Sequence, residues 1–289
     1  MNKHRVRKNK DKRLLFSCVA VCVLAILASI LVLSFLSRPK PPSPEPPPYD
    51  GTVSLDYPPL PSETVASPDA VPSPLPPLTK LTWEATVVSD THVLEEETLC
   101  LYAASRPLLF GGIEEATARI NKTLEQYCDD FIFISDFDKL LAEESYQNTL
   151  RDGKEFVTRE RSSDFTAYLH ENVLSVLFSE TRIEGGATDN LRYVTLHFDV
   201  YTGEEITFAQ FINRSDEAAT TYILSLFTQW ISGAPGRFYP DAADVIRYQP
   251  LLRSFYLTEE GVVLYVNGGQ ISPGAYGIQT LTVPYDKLS

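Results

Sequence analysis

The sequence carries few of the residues that usually perform acid-base or metal chemistry. After residue 79 it contains three histidines, at positions 92, 170 and 197. His170 and Glu171 match the first half of the zinc-binding H-E-x-x-H helix, but Leu174 occupies the position of the second histidine. Because that motif needs two imidazoles one helical turn apart to hold the ion, the sequence predicts no zinc site and gives no sign of another cofactor.

The patterns of nucleophilic and nucleotide chemistry are also missing from the sequence, since no G-x-S-x-G, P-loop or G-x-G-x-x-G occurs. Acidic residues are plentiful, and a pair of carboxylates is enough for a glycosidase. Their runs, at 95–97, 143–144 and 259–260, are more typical of solvated surface. The sequence therefore favours a protein that is not an enzyme, with a cell-wall glycan hydrolase or a deacetylase accessory domain as the alternative.

The formal net charge of −13 combines two opposite contributions. Residues 1–40 carry a net charge of +8, and residues 41–289 carry −21. Nucleic-acid binding needs a concentrated basic face, so the acidic part argues against a nucleic-acid partner. The same acidity favours electrostatic attraction to a cationic partner, an attraction that weakens as salt is added.

The N-terminal charge pattern predicts a membrane anchor. Residues 1–13 form a basic stub, and residues 14–36 are an uncharged apolar run long enough to cross the hydrocarbon layer as a helix. This run is longer than the core of a cleaved signal peptide, which favours an uncleaved anchor. The positive-inside rule then predicts a single-pass protein of the cell membrane, with a cytoplasmic N-terminus and an extracellular C-terminal domain.

A proline-rich segment follows at residues 37–79 and holds 15 of the 21 prolines. Because proline fixes φ and removes a backbone donor, this segment is predicted to be a disordered, extended spacer without a packed core. Residues 80–289 remain as the globular domain. The 44% hydrophobic content of the chain is sufficient for one core there.

The periodicity of this domain predicts an α+β fold, in which an antiparallel sheet is covered by two or three helices. Apolar residues at three- and four-residue steps predict helices over 113–130 and 216–233, with a less regular helix over 137–150. Period-two alternation predicts strands around 174–178 and 194–200, the first after a tight connection at Glu171 and Asn172. Further strands are predicted over 81–88, 93–103, 255–257, 262–266 and 280–284.

Two side-chain placements follow from these elements. His197 lies between Leu196 and Phe198 and is predicted to face solvent from the outer side of its strand. Cys100 falls late in a strand, and Cys128 falls late in the helix that should pack over it. The sequence leaves open a disulfide between them or two free thiols, depending on whether their Cα atoms come within about 7 Å.

Aromatic residues stand in glycine- and proline-rich loops at Phe238, Tyr239 and Tyr276. Rigid aromatic side chains on loops are typical of interface hot spots. They also serve to anchor loops to a core. Both interpretations of these three residues stay open on the sequence.

Four stretches, at 173–187, 194–208, 255–266 and 271–288, together resemble the extracytoplasmic domain family shared by the anti-sigma factor RsiV and the peptidoglycan deacetylase PdaC. One of them contains Ile271-Ser-Pro-Gly-Ala-Tyr-Gly277. The resemblance covers about residues 80–289 and implies an α+β domain outside the membrane of a Gram-positive-type bacterium. In that family the domain is associated with binding lysozyme as a signal in RsiV and with a cell-envelope enzyme in PdaC.

The chain departs from both of these proteins. Its basic stub of 13 residues is too short for a sigma-binding region, the sequence shows no deacetylase domain, and Thr188 stands where the family usually has a histidine. What remains resembles the binding or sensing module alone, with a peptidoglycan component or a cationic protein such as lysozyme as its expected partner. A folding or assembly module for a membrane protein is a further alternative. The expected partner-binding residues are Gly185, Gly186, Thr188, Asp189, Pro273 and Tyr276.

Overall fold

The computed structural model describes residues 55, 57–60, 80–184, 187–188, 191–234 and 236–288, with the backbone alone at 187–188. The predicted basic stub, the predicted membrane helix over 14–36 and most of the predicted spacer lie outside these residues. Within the described ranges, no helix is both long enough and apolar enough to cross a membrane.

The described residues form nine strands and five α-helices. In chain order they are β1 (Thr82–Leu94), β2 (Glu97–Phe110), α1 (Glu114–Ile132), α2 (Asp136–Arg151), β3 (Arg159–His170), β4 (Val173–Glu184), β5 (Ala187–Thr188), β6 (Arg192–Asp199), α3 (Phe208–Phe211), α4 (Asp216–Gly233), α5 (Ala242–Val245), β7 (Phe255–Leu257), β8 (Gly261–Val266) and β9 (Gln279–Pro284). Single 3-10 turns lie at Ile246–Tyr248, Gly274–Tyr276 and Tyr285–Lys287. The α+β class predicted from the sequence is confirmed.

The described strands form two sheets. In the large sheet, β1 to β5 are neighbours in chain order, and β6 also pairs with β4. Its pairs are antiparallel except for β2 with β3, which run parallel because α1 and α2 carry the chain back between them. The small sheet is antiparallel and contains β7, β8 and β9. The predicted antiparallel sheet is thus divided into two, with one parallel pair.

Helix α1 packs on one face of the large sheet. Four of its five buried residues, Ala116, Ile120, Leu124 and Cys128, recur every four positions and so form a single stripe along the helix. The alternate side chains of β4 at 174, 176 and 178 are fully buried in the same hydrophobic cluster. The apolar helix face and the apolar strand face that the sequence predicts therefore pack against each other in this core.

The opposite face of the large sheet contacts the small sheet. The amide of Leu257 in β7 donates to Ser175 Oγ in β4 at 3.1 Å. Thr195 Oγ1 in β6 donates to the carbonyl of Arg253, just before β7, at 2.7 Å. Helix α4 and the small sheet share a second hydrophobic core, which includes Leu226. Strands β4 and β6 are consequently covered on both faces.

The predicted solvent exposure of His197 is wrong, because the small sheet covers the face of β6 on which this residue lies. The residue is 3% exposed, and its ring stacks on Phe255 with centroids 3.7 Å apart. Neither ring nitrogen has a hydrogen-bond partner of good geometry among the described residues. Burial lowers the pKa of His197 to about 3, against smaller opposing contributions from the backbone at Phe255 and Arg253. The imidazole is therefore neutral at physiological pH.

The first two strands are longer than the sequence predicts. The sequence pattern indicates a break at 89–92, but β1 continues to Leu94 and the chain turns at Glu95 and Glu96. Both glutamates have positive φ angles, of 49° and 71°, which non-glycine residues rarely adopt. Since no Asn-Gly or Asp-Gly pair marks this turn, the sequence lacks the usual hairpin signal.

Part of the predicted spacer lies on the domain. Leu55, Tyr57 and Leu60 pack against the core that α4 shares with the small sheet. Tyr57 Oη donates to the carbonyl of Thr282 in β9 at 3.3 Å. Burial of these apolar side chains offsets part of the entropy cost of ordering the segment. The packed unit therefore extends to residues before the predicted domain start at 80.

Candidate functional site

Four arginines lie on the helix-covered face of the large sheet, at the start of β3, the end of β4 and the start of β6. The register places Arg161 directly opposite Arg182, and Arg192 directly opposite Glu180. Directly opposed side chains have Cβ atoms about 5 Å apart, and like charges in that position are destabilising. We call this cluster the arginine row; its members are Arg159, Arg161, Arg182, Arg192, Asp138, Glu180 and Glu184.

Two of the arginines pair with carboxylates. Arg161 Nη2 lies 3.0 Å from Asp138 Oδ1, and Arg159 Nη2 lies 3.3 Å from Glu184 Oε1. Asp138 is fixed in the first turn of α2, where it forms a capping box with Ser135. Burial alone would raise the pKa of Asp138, but hydrogen bonds from Ser135 and the charge of Arg161 outweigh it and hold that pKa below its usual value. Asp138 is thus a fixed negative charge in the row.

The other two arginines are not paired in this way. Arg182 and Arg192 have no carboxylate oxygen within 4 Å among the described residues. Glu180, which stands opposite Arg192, instead accepts a hydrogen bond from Tyr127 Oη at 2.5 Å. Burial, together with the charge of Glu180, raises the pKa of Tyr127, so its phenol remains a donor. The arginine row therefore has more donors than it has internal acceptors.

A cleft of about 330 Å³ opens beside Arg182 and Arg192. Its other wall is the loop between β8 and β9, which Asn267 ties to the edge of the sheet. The Asn267 side chain accepts from the amide of Tyr193 at 2.7 Å and donates to the carbonyl of the same residue at 3.0 Å. The lining residues include Glu180, Arg182, Arg192, Asn267, Gly268 and Gln270. The volume of the cleft is in the range of small-ligand sites.

The same loop continues into a turn at residues 273–277 that a buried side chain holds in place. Gln279 is fully buried, and its Nε2 donates to the carbonyls of Tyr276 and Gly277, each at 3.0 Å. Gln279 Oε1 accepts from Arg237 Nε at 2.9 Å. Pro273 is exposed at the start of the turn. The hydrogen bonds of one buried amide thus preorganise an exposed surface.

The structure separates the roles of the loop aromatics that the sequence left open. Phe238 packs edge-to-face on Trp230, with ring centroids 5.0 Å apart, so it anchors its loop to the core. Tyr276 belongs to the turn, where the Arg237 guanidinium lies 5.9 Å from its ring centroid. Tyr239 remains 38% exposed. Anchoring therefore accounts for Phe238, whereas Tyr276 is available at the surface.

The predicted partner-binding residues fall into two groups. Gly185, Gly186 and Asp189 lie outside the described residues, and Thr188 is described by its backbone in β5, opposite Ile183. Pro273 and Tyr276, by contrast, lie together in the turn at 273–277. The cleft contains residues on both sides of Gly185, Gly186 and Asp189 in the sequence, since Arg182 precedes them and Arg192 follows them.

Sequence reasoning missed the arginine row because its members come from separate strands with no fixed spacing. The available signal was local: Arg159 and Arg161 alternate along one strand and therefore share one face. The sequence does not say which strand lies beside that face, so the opposition of Arg161 and Arg182 emerges only from the register.

The incomplete zinc motif lies in a hairpin, as the sequence predicts. β3 and β4 pair up to His170 and Val173, and Glu171 has a positive φ of 52° in the turn. The His170 ring stacks flat on Tyr285, with centroids 3.9 Å apart. Among the residues that the structure describes, no group of three or more His, Cys, Asp or Glu side chains could hold a metal ion.

The two cysteines of the domain are free, buried thiols. They belong to different hydrophobic clusters: Cys100 lies with Ile134 and Ala142, whereas Cys128 lies with Leu124 under α1. The disulfide that the sequence left open is therefore not formed. Burial raises the pKa of both thiols, that of Cys128 to about 12, which disfavours the reactive thiolate.

Alkylation of the folded chain should leave Cys100 and Cys128 unmodified, because both thiols are shielded and protonated. Unfolding in denaturant without a reductant should expose both to iodoacetamide. The chain has two further cysteines, Cys18 and Cys22, in the apolar run over residues 14–36. Mass spectrometry of the peptides that contain Cys100 and Cys128 checks this result separately from them. A cross-linked peptide joining Cys100 to Cys128 would contradict it.

The C-terminal part of the domain, from α4 to the 3-10 turn after β9, matches a known family. Residues 216–286 match DUF3298. That family is described as a protein of unknown function. No curated protein matches the chain.

Solved structures of DUF3298 proteins resemble this chain at low sequence identity. A member of the family from Bacteroides fragilis is 15% identical, with 71% of this chain and 91% of that chain covered and a TM-score of 0.49. A DUF3298 family protein from Pseudomonas aeruginosa is also 15% identical, with 74% of this chain and 94% of that chain covered and a TM-score of 0.44.

Proposed function

We propose that this protein is a single-pass, membrane-anchored binding or sensing protein. Its domain recognises a cell-envelope component or a cationic protein such as lysozyme outside the cell. The observation that carries the proposal is the turn at 273–277, an exposed surface that the buried Gln279 holds in one conformation. A preorganised loop is suited to recognition, because little conformational entropy is lost when a partner binds.

The chemistry of the turn also suits a protein partner. Pro273 restricts the backbone at the exposed start of the turn. Tyr276 is partly exposed and lies beside Arg237, and tyrosine and arginine are enriched among residues that dominate interface energies.

Charge supports a cationic partner. Residues 80–289 contain 32 acidic and 16 basic residues, so the domain is strongly negative. Complementary charge accelerates the encounter with a basic protein, and this electrostatic attraction weakens as salt is added. The resemblance of the sequence to the RsiV and PdaC domain family, together with the predicted anchor and spacer, supports placing this recognition at the outer face of the membrane.

A binding experiment with lysozyme and peptidoglycan fragments tests the proposal. The purified full-length chain should bind at least one of them, and binding of lysozyme should weaken between low and physiological ionic strength. Tyr276→Ala should weaken that binding by about tenfold or more, because it removes the aromatic surface of the turn. Calorimetry or surface plasmon resonance gives the affinities.

Tyr248→Ala is the matched control, since Tyr248 is a tyrosine that is 87% exposed and lies outside the turn. This variant should bind as the unmodified chain does. The proposal fails if neither lysozyme nor peptidoglycan fragments bind, or if Tyr276→Ala and Tyr248→Ala have the same effect. Digestion of muropeptides by the purified chain would instead favour the enzyme alternative.

A further inference from the structure

We infer that the cleft beside Arg182 and Arg192 is a binding site for a carboxylate group, such as the free carboxylate of a short peptide or of a sugar acid. The cleft is formed by the arginine row and the start of the loop between β8 and β9. It is distinct from the turn at 273–277, so the inference goes beyond the proposed function and does not depend on it.

The arginine row has a net charge of +1, which one bound anion would neutralise. Among the described residues, the row contains four guanidinium groups and three carboxylates, and Arg159 and Arg161 are already paired with Glu184 and Asp138. The surplus positive charge therefore falls at Arg182 and Arg192, at the cleft. Arg182 also faces Arg161 directly across the strands, which is a repulsive arrangement. Arg161 has a counter-charge in Asp138, but Arg182 has none within 4 Å among the described residues. One bound carboxylate supplies that counter-charge.

The geometry places the two arginines within reach of a single group. Arg192 on β6 is opposite Glu180 on β4, and Arg182 is two residues further along β4 on the same face. Arg182 and Arg192 are thus diagonal neighbours, with Cα atoms about 7 to 8 Å apart, a distance that long side chains bridge easily. Guanidinium groups donate two parallel hydrogen bonds to a carboxylate, and this fixes both its position and its orientation.

The site is formed before any ligand arrives. Glu180, which stands opposite Arg192, accepts a hydrogen bond from Tyr127 at 2.5 Å and forms no ion pair with Arg192 within 4 Å. Asn267 makes two hydrogen bonds to the backbone of Tyr193 and holds the opposite wall of the cleft against the sheet. Binding therefore requires neither the release of an internal ion pair nor the movement of this wall.

The composition of the cleft favours a carboxylate over a phosphate. Glu180 lines the same cleft as the two arginines, so a doubly charged phosphate would lie near an acid as well as two bases. The single negative charge of a carboxylate neutralises the net positive charge of the arginine row. The cleft volume of about 330 Å³ admits a small ligand or the end of a longer one.

Titration of the full-length chain with four small probes tests the inference. The probes are acetyl-alanyl-alanine, its C-terminal amide, N-acetylmuramic acid and inorganic phosphate. At least one of the two carboxylates should bind, and the amide should not. The stronger of the two identifies the source of the carboxylate, peptide or sugar acid. Arg182→Gln and Arg192→Gln should each weaken carboxylate binding by about tenfold or more, because each removes charged hydrogen bonds.

Two control variants keep the result interpretable. Arg182→Lys retains the charge but loses the planar fork, so it should bind with an intermediate affinity. Arg247→Gln removes an exposed arginine outside the cleft and should bind normally. Circular dichroism verifies that each variant is folded.

The inference is overturned if neither carboxylate binds, if the amide binds as well as the acid, or if phosphate binds more tightly than both carboxylates. It also fails if Arg182→Gln and Arg192→Gln bind like the unmodified chain. Its failure is distinguishable from failure of the proposed function, because Tyr276→Ala should leave carboxylate binding unchanged and Arg182→Gln should leave lysozyme binding unchanged.

Discussion

Acidification from pH 6.5 to pH 4 should destabilise the fold steeply, and His197→Phe should remove most of this dependence. The pKa of His197 falls from an ordinary value of 6.5 to about 3 in the folded state, because the ring is buried between the two sheets. Between these values the unfolded chain binds a proton that the folded chain does not. The free energy of unfolding should therefore fall by about 1.4 kcal/mol per pH unit, or roughly 3 kcal/mol over the interval. Urea unfolding at a series of pH values measures this free energy for the unmodified chain and for His197→Phe.

Thr195→Val provides the control for this experiment. Thr195 lies in the same interface, where its hydroxyl donates to Arg253 at 2.7 Å, but it does not titrate. The free energy of unfolding of this variant should be lower at every pH, but its dependence on pH should be unchanged. Asp138 also loses stabilisation in acid, but only as the pH falls through the carboxylate range near 4, so the interval from pH 6.5 to pH 5 isolates His197. An unchanged slope in His197→Phe would show that another group is responsible.

Gln279→Leu should destabilise the domain by roughly 3 kcal/mol and abolish partner binding at the turn. The substitution removes the hydrogen bonds of Gln279 to the carbonyls of Tyr276 and Gly277 and from Arg237 Nε, and each hydrogen bond is worth about 1 kcal/mol. Without these hydrogen bonds the turn at 273–277 no longer has a fixed conformation. Chemical denaturation measures the stability, and titration with lysozyme measures the binding.

The neighbouring position offers a matched control. Thr280 follows Gln279 in β9 but is exposed, so Thr280→Ala should change stability by less than about 0.5 kcal/mol and leave binding intact. A Gln279→Leu variant that remains folded and binds normally would show that the turn does not need this support. Equal destabilisation by both variants would show that the loss arises from the strand rather than from the buried amide.

The elements with strong periodicity were predictable from the sequence. The four-residue spacing of Ile120, Leu124 and Cys128 indicated the buried stripe of α1, and the alternation in β4 and β6 indicated which residues face that helix. These patterns depend on one face of each element being apolar. They say nothing about the other face. The sequence therefore predicts that His197 faces solvent, because its neighbours on that face belong to a sheet formed about sixty residues later in the chain.

The candidate site was predictable only in part. Pro273 and Tyr276 stood out because glycine and proline surround them, but the buried support from Gln279 has no pattern in sequence. The arginine row was not predictable, since it depends on the register of three strands that loops of different lengths connect. A polar residue in an alternating strand is ordinary until the structure shows what lies opposite it.

The side chains of Leu55, Tyr57 and Leu60 pack on the core that α4 shares with the small sheet. A fragment that begins at residue 80 would lack these three side chains and the hydrogen bond from Tyr57 to the carbonyl of Thr282 in β9. The apolar surface beneath them would then be exposed to water, at a cost of about 25 cal/mol for each Å². Such a fragment would therefore be less stable than the full-length chain and would present an apolar patch that promotes association.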